Sequence, residues 1–161
     1  MIARINGYAL GGGFEMVLGC DIAIAAEHAQ FGLPEPRIGF LPLDGGMTLL
    51  ARDIPTKAAM GMLLTGRRIK APEALTFGLV NEVVAKARLD EAVERWVADI
   101  LACSPLALQA IKYTAKHTRH LPPLDAMALR HPALIKAFQS EDREEGVRAF
   151  QEKRPPRWRG R

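Results

Sequence analysis

Short apolar runs punctuated by glycine and proline fill the first half of the chain, and a helical period takes over in the second. Met1 to Ile5, broken only by Arg4, reads as a strand, and Phe14 to Leu18 as the first turns of a helix. Ile22-Ala23-Ile24-Ala25 reads as a buried strand and Ala29-Gln30-Phe31 as a short edge strand. Gly45 and Gly46 open a helix at Met47-Thr48-Leu49-Leu50. Pro55 leads another through Ala58, Ala59, Met62 and Leu63 to a stop near Gly66. A short helix over Pro72 to Phe77 precedes a strand from Leu79 to Val84. From Leu89, the positions Ala92, Val93, Trp96, Val97, Ile100 and Leu101 keep i, i+3, i+4, i+7 spacing. Ser104-Pro105 supplies a cap and first helical residue. Leu121-Pro122-Pro123 breaks the chain, and Leu124 to Phe138 resumes as helix with a kink at Pro132. Ser140 caps a last helix that carries Glu141 and Asp142 in its first turn. The change of character places a boundary near Lys86, between an α/β core over 1–86 and a helical part over 87–161.

The stretch from Asn6 to Met16 carries the first chemical signal. A strand, three consecutive glycines and a helix start display unsatisfied backbone N–H groups with the helix dipole behind them. Glycine removes the Cβ, so a ligand oxygen can approach. Glu15 follows one turn in, and N–H donors beside a carboxylate suit chemistry on a carbonyl: the donors hold an enolate oxygen while the acid moves a proton. Taken alone, the glycines read first as a tight turn that packs a helix on a strand. A second carboxylate, Glu35, lies between Pro34 and Pro36 in the loop Phe31 to Gly39. Its bland reading is a solvated loop residue.

Three stretches then resemble the motifs of the crotonase superfamily, the enoyl-CoA hydratases and isomerases. They are Asn6-Gly7-Tyr8-Ala9-Leu10-Gly11-Gly12-Gly13-Phe14-Glu15, Cys20-Asp21-Ile22-Ala23-Ile24-Ala25 and Phe31-Gly32-Leu33-Pro34-Glu35. Further matches are Leu64-Thr65-Gly66-Arg67-Arg68, Glu73-Ala74-Leu75, Gly78-Leu79-Val80-Asn81 and Phe150-Gln151-Glu152-Lys153-Arg154, so the resemblance covers the whole chain. It implies an α/β fold, a spiral of ββα units followed by a helical region used for assembly into a trimer or a dimer of trimers. It implies catalytic roles for Glu15 and Glu35, an oxyanion-donor role for the Gly12 N–H, and an acyl-CoA substrate. Phe150 and Lys153 match positions that cover the adenine and phosphates of coenzyme A. No cofactor is implied, since coenzyme A is part of the substrate.

Gly13-Phe14-Glu15, Leu33-Pro34-Glu35, Ser140-Glu141-Asp142 and Trp158-x-Gly160-Arg161 look most similar to the carnitinyl-CoA dehydratase branch. A Δ3-Δ2 enoyl-CoA isomerase is the alternative enzyme, and a non-catalytic RNA-binding or assembly subunit the alternative from another class. Two departures from the family pattern stand out. Where hydratases read P-G-A-G-G, this chain reads Pro42-Leu43-Asp44-Gly45-Gly46. Asp44 is then either a third acid at the site or the cap of the helix that Gly45 opens. The other departure is at the start: Met1 enters a strand at once, and the family's A-x-A-G-x-D-like loop, which supplies the other oxyanion donor, is not among these residues. The chain therefore reads as a C-terminal fragment or a shifted start, expected by itself to associate without turnover.

Composition sets the remaining limits. The chain has 22 Lys and Arg against 18 Asp and Glu, a net charge of +4. Lys153, Arg154, Arg157, Arg159 and Arg161 lie in an acid-free tail, leaving the remainder near neutral. Such a tail suits nucleic acid or the phosphates of coenzyme A, and the resemblance favours the latter. No apolar run approaches membrane-spanning length. Cys20 and Cys103, each in an apolar context, read as buried free thiols of a cytoplasmic protein. His28, His117, His120 and His131 show no ligand spacing, read as surface residues, and imply no metal site.

Overall fold

Strand β1 (Ile2–Ile5) bends at Asn6-Gly7 into β2 (Tyr8–Leu10), and α1 (Gly12–Gly19) follows directly in the computed structural model, which describes residues 1–161. The pattern then repeats: β3 (Ile22–Ala26) and β4 (Gln30–Gly32) lead through a 3-10 turn (Glu35–Ile38) to α2 (Gly46–Asp53) and α3 (Thr56–Thr65). After these come β5 (Arg68–Lys70), α4 (Ala71–Thr76) and β6 (Glu82–Val84). Each strand pair separates into different sheets. One sheet has the order β1-β3-β6, all parallel, with Ile2 opposite Ile22 and Ile24 opposite Glu82. In the other, of order β2-β4-β5, β2 and β4 are parallel and β4 and β5 antiparallel. This is the expected spiral of ββα turns.

The sequence reading of Ala29–Phe31 as an edge strand needs correction, because β4 is the middle strand of its sheet. Its second neighbour, β5, has only Ile69 as an apolar residue between Arg68 and Lys70, too little pattern to read as a strand. The strand expected from Leu79 begins only at Glu82. Asn81 stops it short by taking both backbone groups of Ala23 on β3: its N–H donates to Ala23 O at 2.7 Å and its Oδ1 accepts from the Ala23 N–H at 2.9 Å. The core gathers where the turns of the spiral stack. Phe14 from α1 meets Phe31 from β4 edge-to-face, with ring centroids 5.6 Å apart, and both are fully buried. Small side chains, Ala23, Ala25 and Ala26, let β3 run between its two neighbours with buried faces.

Helix α5 (Leu89–Leu101) follows β6, and contacts group the chain into two compact units, Met1–Arg95 and Trp96–Arg161. The second unit contains α6 (Pro105–His117), α7 (Pro123–Ala128), α8 (Pro132–Phe138) and α9 (Glu141–Gln151). The single kinked helix expected over Leu124–Phe138 is thus two helices. His131, preceding Pro132, is extended at φ −116°, ψ 142°, as the steric demand of the proline ring requires, so the helix breaks and restarts there.

After α9 the last residues turn back along its face and are held by two of its carboxylates. Asp142, only 1% exposed, accepts from the N–H groups of Arg159 at 2.7 Å and Gly160 at 3.1 Å. The Ser104 hydroxyl donates to it at 3.3 Å. Trp158 lies against Gly146 and donates from Nε1 to Ala102 O at 2.9 Å. Glu145 takes both terminal nitrogens of Arg154, at 2.6 and 3.1 Å, and the Arg157 N–H at 2.9 Å. The Arg154 guanidinium, then the Arg157 N–H, hold the Glu145 carboxyl well below its ordinary 4.5, at about 2, with Arg148 adding attraction nearby.

A carboxylate depressed in the folded state stabilises the fold above its unfolded pKa and loses that contribution as pH falls through the folded one. Thermal denaturation of the protein and of Glu145→Gln should therefore show a difference in Tm that is full at neutral pH. It should shrink between pH 4.5 and about 2 and vanish below. A difference independent of pH would show that the ion pair does not hold the tail.

Candidate active site

The glycine turn at the head of α1 is built as the sequence suggests, and the structure adds its detail. Gly11 has φ 57°, ψ −133°, a conformation open to glycine. Its N–H ties the turn to Gly32 O at 2.9 Å, and its carbonyl accepts from Phe14 N–H at 2.8 Å and Glu15 N–H at 3.0 Å. The two leading N–H groups, those of Gly12 and Gly13, are left without an acceptor, and both residues are exposed. They form the anion-facing end of the helix. Gly11 also answers to Glu35: a Cβ built on it would lie 2.8 Å from Glu35 Oε1. The sequence reading assigned close packing to Gly13 as well, yet a Cβ there would meet nothing within 4 Å.

Glu15 is 5% exposed, and its Oε1 accepts from the Gly46 N–H at 2.8 Å. That N–H stands at the head of α2, so a second helix terminus holds the carboxylate in place. Gly46 is there because nothing larger fits: its Cβ would lie 2.7 Å from Pro42 Cβ and 3.0 Å from both Glu15 Oε1 and Leu33 Cδ1. The sequence marks Gly45-Gly46 only as a helix start. Its partnership with Glu15, 31 residues earlier, is what the reading of the sequence missed.

Glu35 opens the 3-10 turn that Pro34 and Pro36 stiffen. The loop is anchored by the Phe40 N–H on Glu35 O at 3.0 Å and by Arg37 Nε on Thr65 O at 2.9 Å. Its Oε2 is shut away from solvent and bonds to nothing. A buried acceptor without a partner is rare in a folded chain. Here it sits on a carboxylate whose other oxygen faces the glycine turn, so the solvated-loop reading of Glu35 fails.

Phe14 and Leu33 are fully buried, whereas Phe40 is 58% exposed. The Leu43 N–H has no acceptor in the chain. Asp44 does not cap α2: the N-cap position is Gly45, with no side-chain bond to the helix. Phe150 and Lys153 lie in the second unit, at the end of α9, and both are exposed. The cysteines are not buried as expected. Cys103 is exposed and Cys20 half-buried, both free, with each thiol turned to a carbonyl four residues back. His131 is likewise not a surface residue: it is half-buried, stacks on Tyr113 and accepts from the Ala133 N–H through Nδ1 at 3.1 Å. No group of three or more His, Cys, Asp or Glu could hold a metal ion, and no helix is long and apolar enough to cross a membrane.

The family model described as enoyl-CoA hydratase/isomerase matches residues 1–161. Carnitinyl-CoA dehydratase of Salmonella typhi is 39% identical over 165 residues, covering 100% of this chain and 63% of the relative. Two enoyl-CoA hydratases of known structure align with a TM-score of 0.95 over 99% of this chain. The one from Mycobacterium tuberculosis H37Rv is 37% identical, with 64% of its chain covered. The one from Bacillus anthracis is 38% identical, with 62% covered. The chain thus spans less than two thirds of the length of these relatives.

Gly46→Ala should cost about 1–3 kcal/mol in urea denaturation, because the added methyl collides with Pro42, Leu33 and the Glu15 carboxylate. Gly13→Ala, in open space on a helix, should be neutral or stabilising by up to about 1 kcal/mol. Equal losses in both variants would show that the Gly46 contact is not what confines Glu15.

Proposed function

The chain belongs to the enoyl-CoA hydratase/isomerase family, and we propose that the whole protein adds water to, and removes it from, the double bond of an enoyl-CoA thioester. The observation that carries this reading is the contrast between two carboxylates: Glu15 is held by the Gly46 N–H, and Glu35 keeps one buried oxygen unbonded. In the hydration direction the thioester oxygen receives the Gly12 N–H, which draws charge away from the double bond as an enolate develops. Glu15, fixed in place, holds a water over the β-carbon and takes its proton as the carbon–oxygen bond forms. Glu35 gives its proton to the α-carbon, and the enolate collapses back to the thioester. Exchange of a proton between the carboxylates through solvent restores the starting state. Dehydration is the reverse. The scheme uses no cofactor, coenzyme A being part of the substrate.

Within this class, the likeness to the Salmonella typhi carnitinyl-CoA dehydratase supports a substrate of that kind. The free Asp44 favours one second reading, a Δ3-Δ2 enoyl-CoA isomerase, in which a third acid moves the proton between carbons. The tail is a poor match for RNA, because Arg154, Arg159 and Arg161 pair with Glu145, Glu152 and Glu141. Apolar residues exposed in the second unit, Ile111 and Phe138 among them, support assembly into a trimer or a dimer of trimers. The two free thiols support a cytoplasmic setting.

In the whole protein, Glu15→Gln and Glu35→Gln should each lower crotonyl-CoA hydration by about 10²–10⁴, the usual worth of a positioned proton carrier. Affinity for coenzyme A should stay nearly unchanged in both. Near-normal turnover in either variant would remove that residue from the reaction.

A further inference from the structure

Lys153 is the one residue other than glycine with a left-handed backbone, at φ 53°. It stands where α9 unwinds. The Lys153 N–H reaches Phe150 O at 3.2 Å and the Arg154 N–H reaches Ala149 O at 3.0 Å. This helix ending normally gives its left-handed position to glycine. A lysine there strains against its own Cβ. Strain of this kind persists where the surroundings over-determine it, and it gathers at places that bind or react.

Arg154 supplies the over-determination. Its guanidinium forks onto Glu145 at 2.6 and 3.1 Å, and its Nε reaches Glu152 at 2.5 Å. Glu145 is bound in turn by the Arg157 N–H. Arg154 is therefore fully engaged within the chain, whereas the Lys153 ammonium is exposed and has no ion-pair partner. Phe150, 86% exposed, lies three residues before it. Two adjacent cations thus do different work: one is bound inward to fix the turn, and the other is left outward.

We propose that the Glu145–Arg154 pair is a positioning device, which fixes the left-handed turn so that Lys153 meets the phosphates of the adenosine end of a coenzyme A thioester. The inference rests on the acyl-CoA reading above and adds residues to it. The pair survives across the range in which the protein would work, since the Glu145 carboxyl stays ionised down to about 2. Asp142 grips the tail farther on, at Arg159 and Gly160, and does not touch the pair. Loosening the tail there leaves the turn at Lys153 in place.

The test is steady-state kinetics of the whole protein with crotonyl-CoA and with crotonyl-pantetheine, which lacks the nucleotide end. Lys153→Ala should raise KM for crotonyl-CoA by about 10-fold or more, the worth of one charged hydrogen bond, and leave that for crotonyl-pantetheine unchanged. Glu145→Gln should raise KM for crotonyl-CoA about three- to tenfold, a fraction of that same bond, with kcat held within about twofold. Asp142→Asn should lower Tm yet leave the ratio of the two KM values where it was. If Lys153→Ala moves the ratio but Glu145→Gln does not, or Asp142→Asn moves it equally, the positioning role is overturned. If Lys153→Ala leaves the ratio unchanged, the acyl-CoA reading of this turn fails, and the positioning role with it.

Discussion

A buried carboxylate is costly without a donor, and the bond from the Gly46 N–H to Glu15 is the interaction on which the rest of the site depends. It joins the heads of two helices. Helix α1 brings the carboxylate, helix α2 brings the N–H, and the contact is tight enough that only a glycine fits between Pro42, Leu33 and Glu15. Helix α1 also starts from a turn that the Gly11 N–H ties to Gly32 O at the end of β4, and this second bond fixes the glycine turn relative to the loop that carries Glu35. The spiral is what makes this possible. Each ββα turn sends a strand end and a helix head to one place, so residues far apart in sequence meet through backbone groups.

The second constraint is the tail. Unpaired carboxylates on a helix face would be solvated, but Asp142 and Glu145 are turned to account by a returning segment that presents N–H groups and a guanidinium. The basic tail is thereby partly neutralised within the chain. Its five positive charges looked like a nucleic-acid signal. The ion pairs of Arg154, Arg159 and Arg161 remove most of that signal, leaving Lys153 as the cation with a strained backbone.

Much of this was legible in the sequence, for physical reasons that differ by element. Strands β1 and β3 were visible because both are apolar runs of strand length, and α5 because its apolar stripe repeats with the period of a helix. Strand β5 was not, since Arg68 and Lys70 flank a single buried Ile69. The two glutamates emerged from motif spacing, with the glycine turn pointing to a chemistry for Glu15. What spacing could not give was the partner of each. The Gly46 donor depends on how two helices meet, and the orphaned Glu35 Oε2 depends on what the fold withholds from it. The Asp142 and Glu145 clasp had a faint signal, two acids three residues apart on one helix face ahead of an acid-free tail. The cap expected from Asp44 failed because Gly45 takes that position with a left-handed backbone at φ 114°.

If Glu15 delivers the water and Glu35 the α-proton from one side of a bound enoyl thioester, the hydroxyl and the new α-proton must arrive on the same face. Hydration of crotonyl-CoA in D₂O by the whole protein, followed by NMR of the 3-hydroxybutyryl product, reads this directly. A single deuterium at the α-carbon, on the same face as the new hydroxyl, is the expected result. Addition from opposite faces, or a mixture of the two, would contradict the pairing of the two carboxylates.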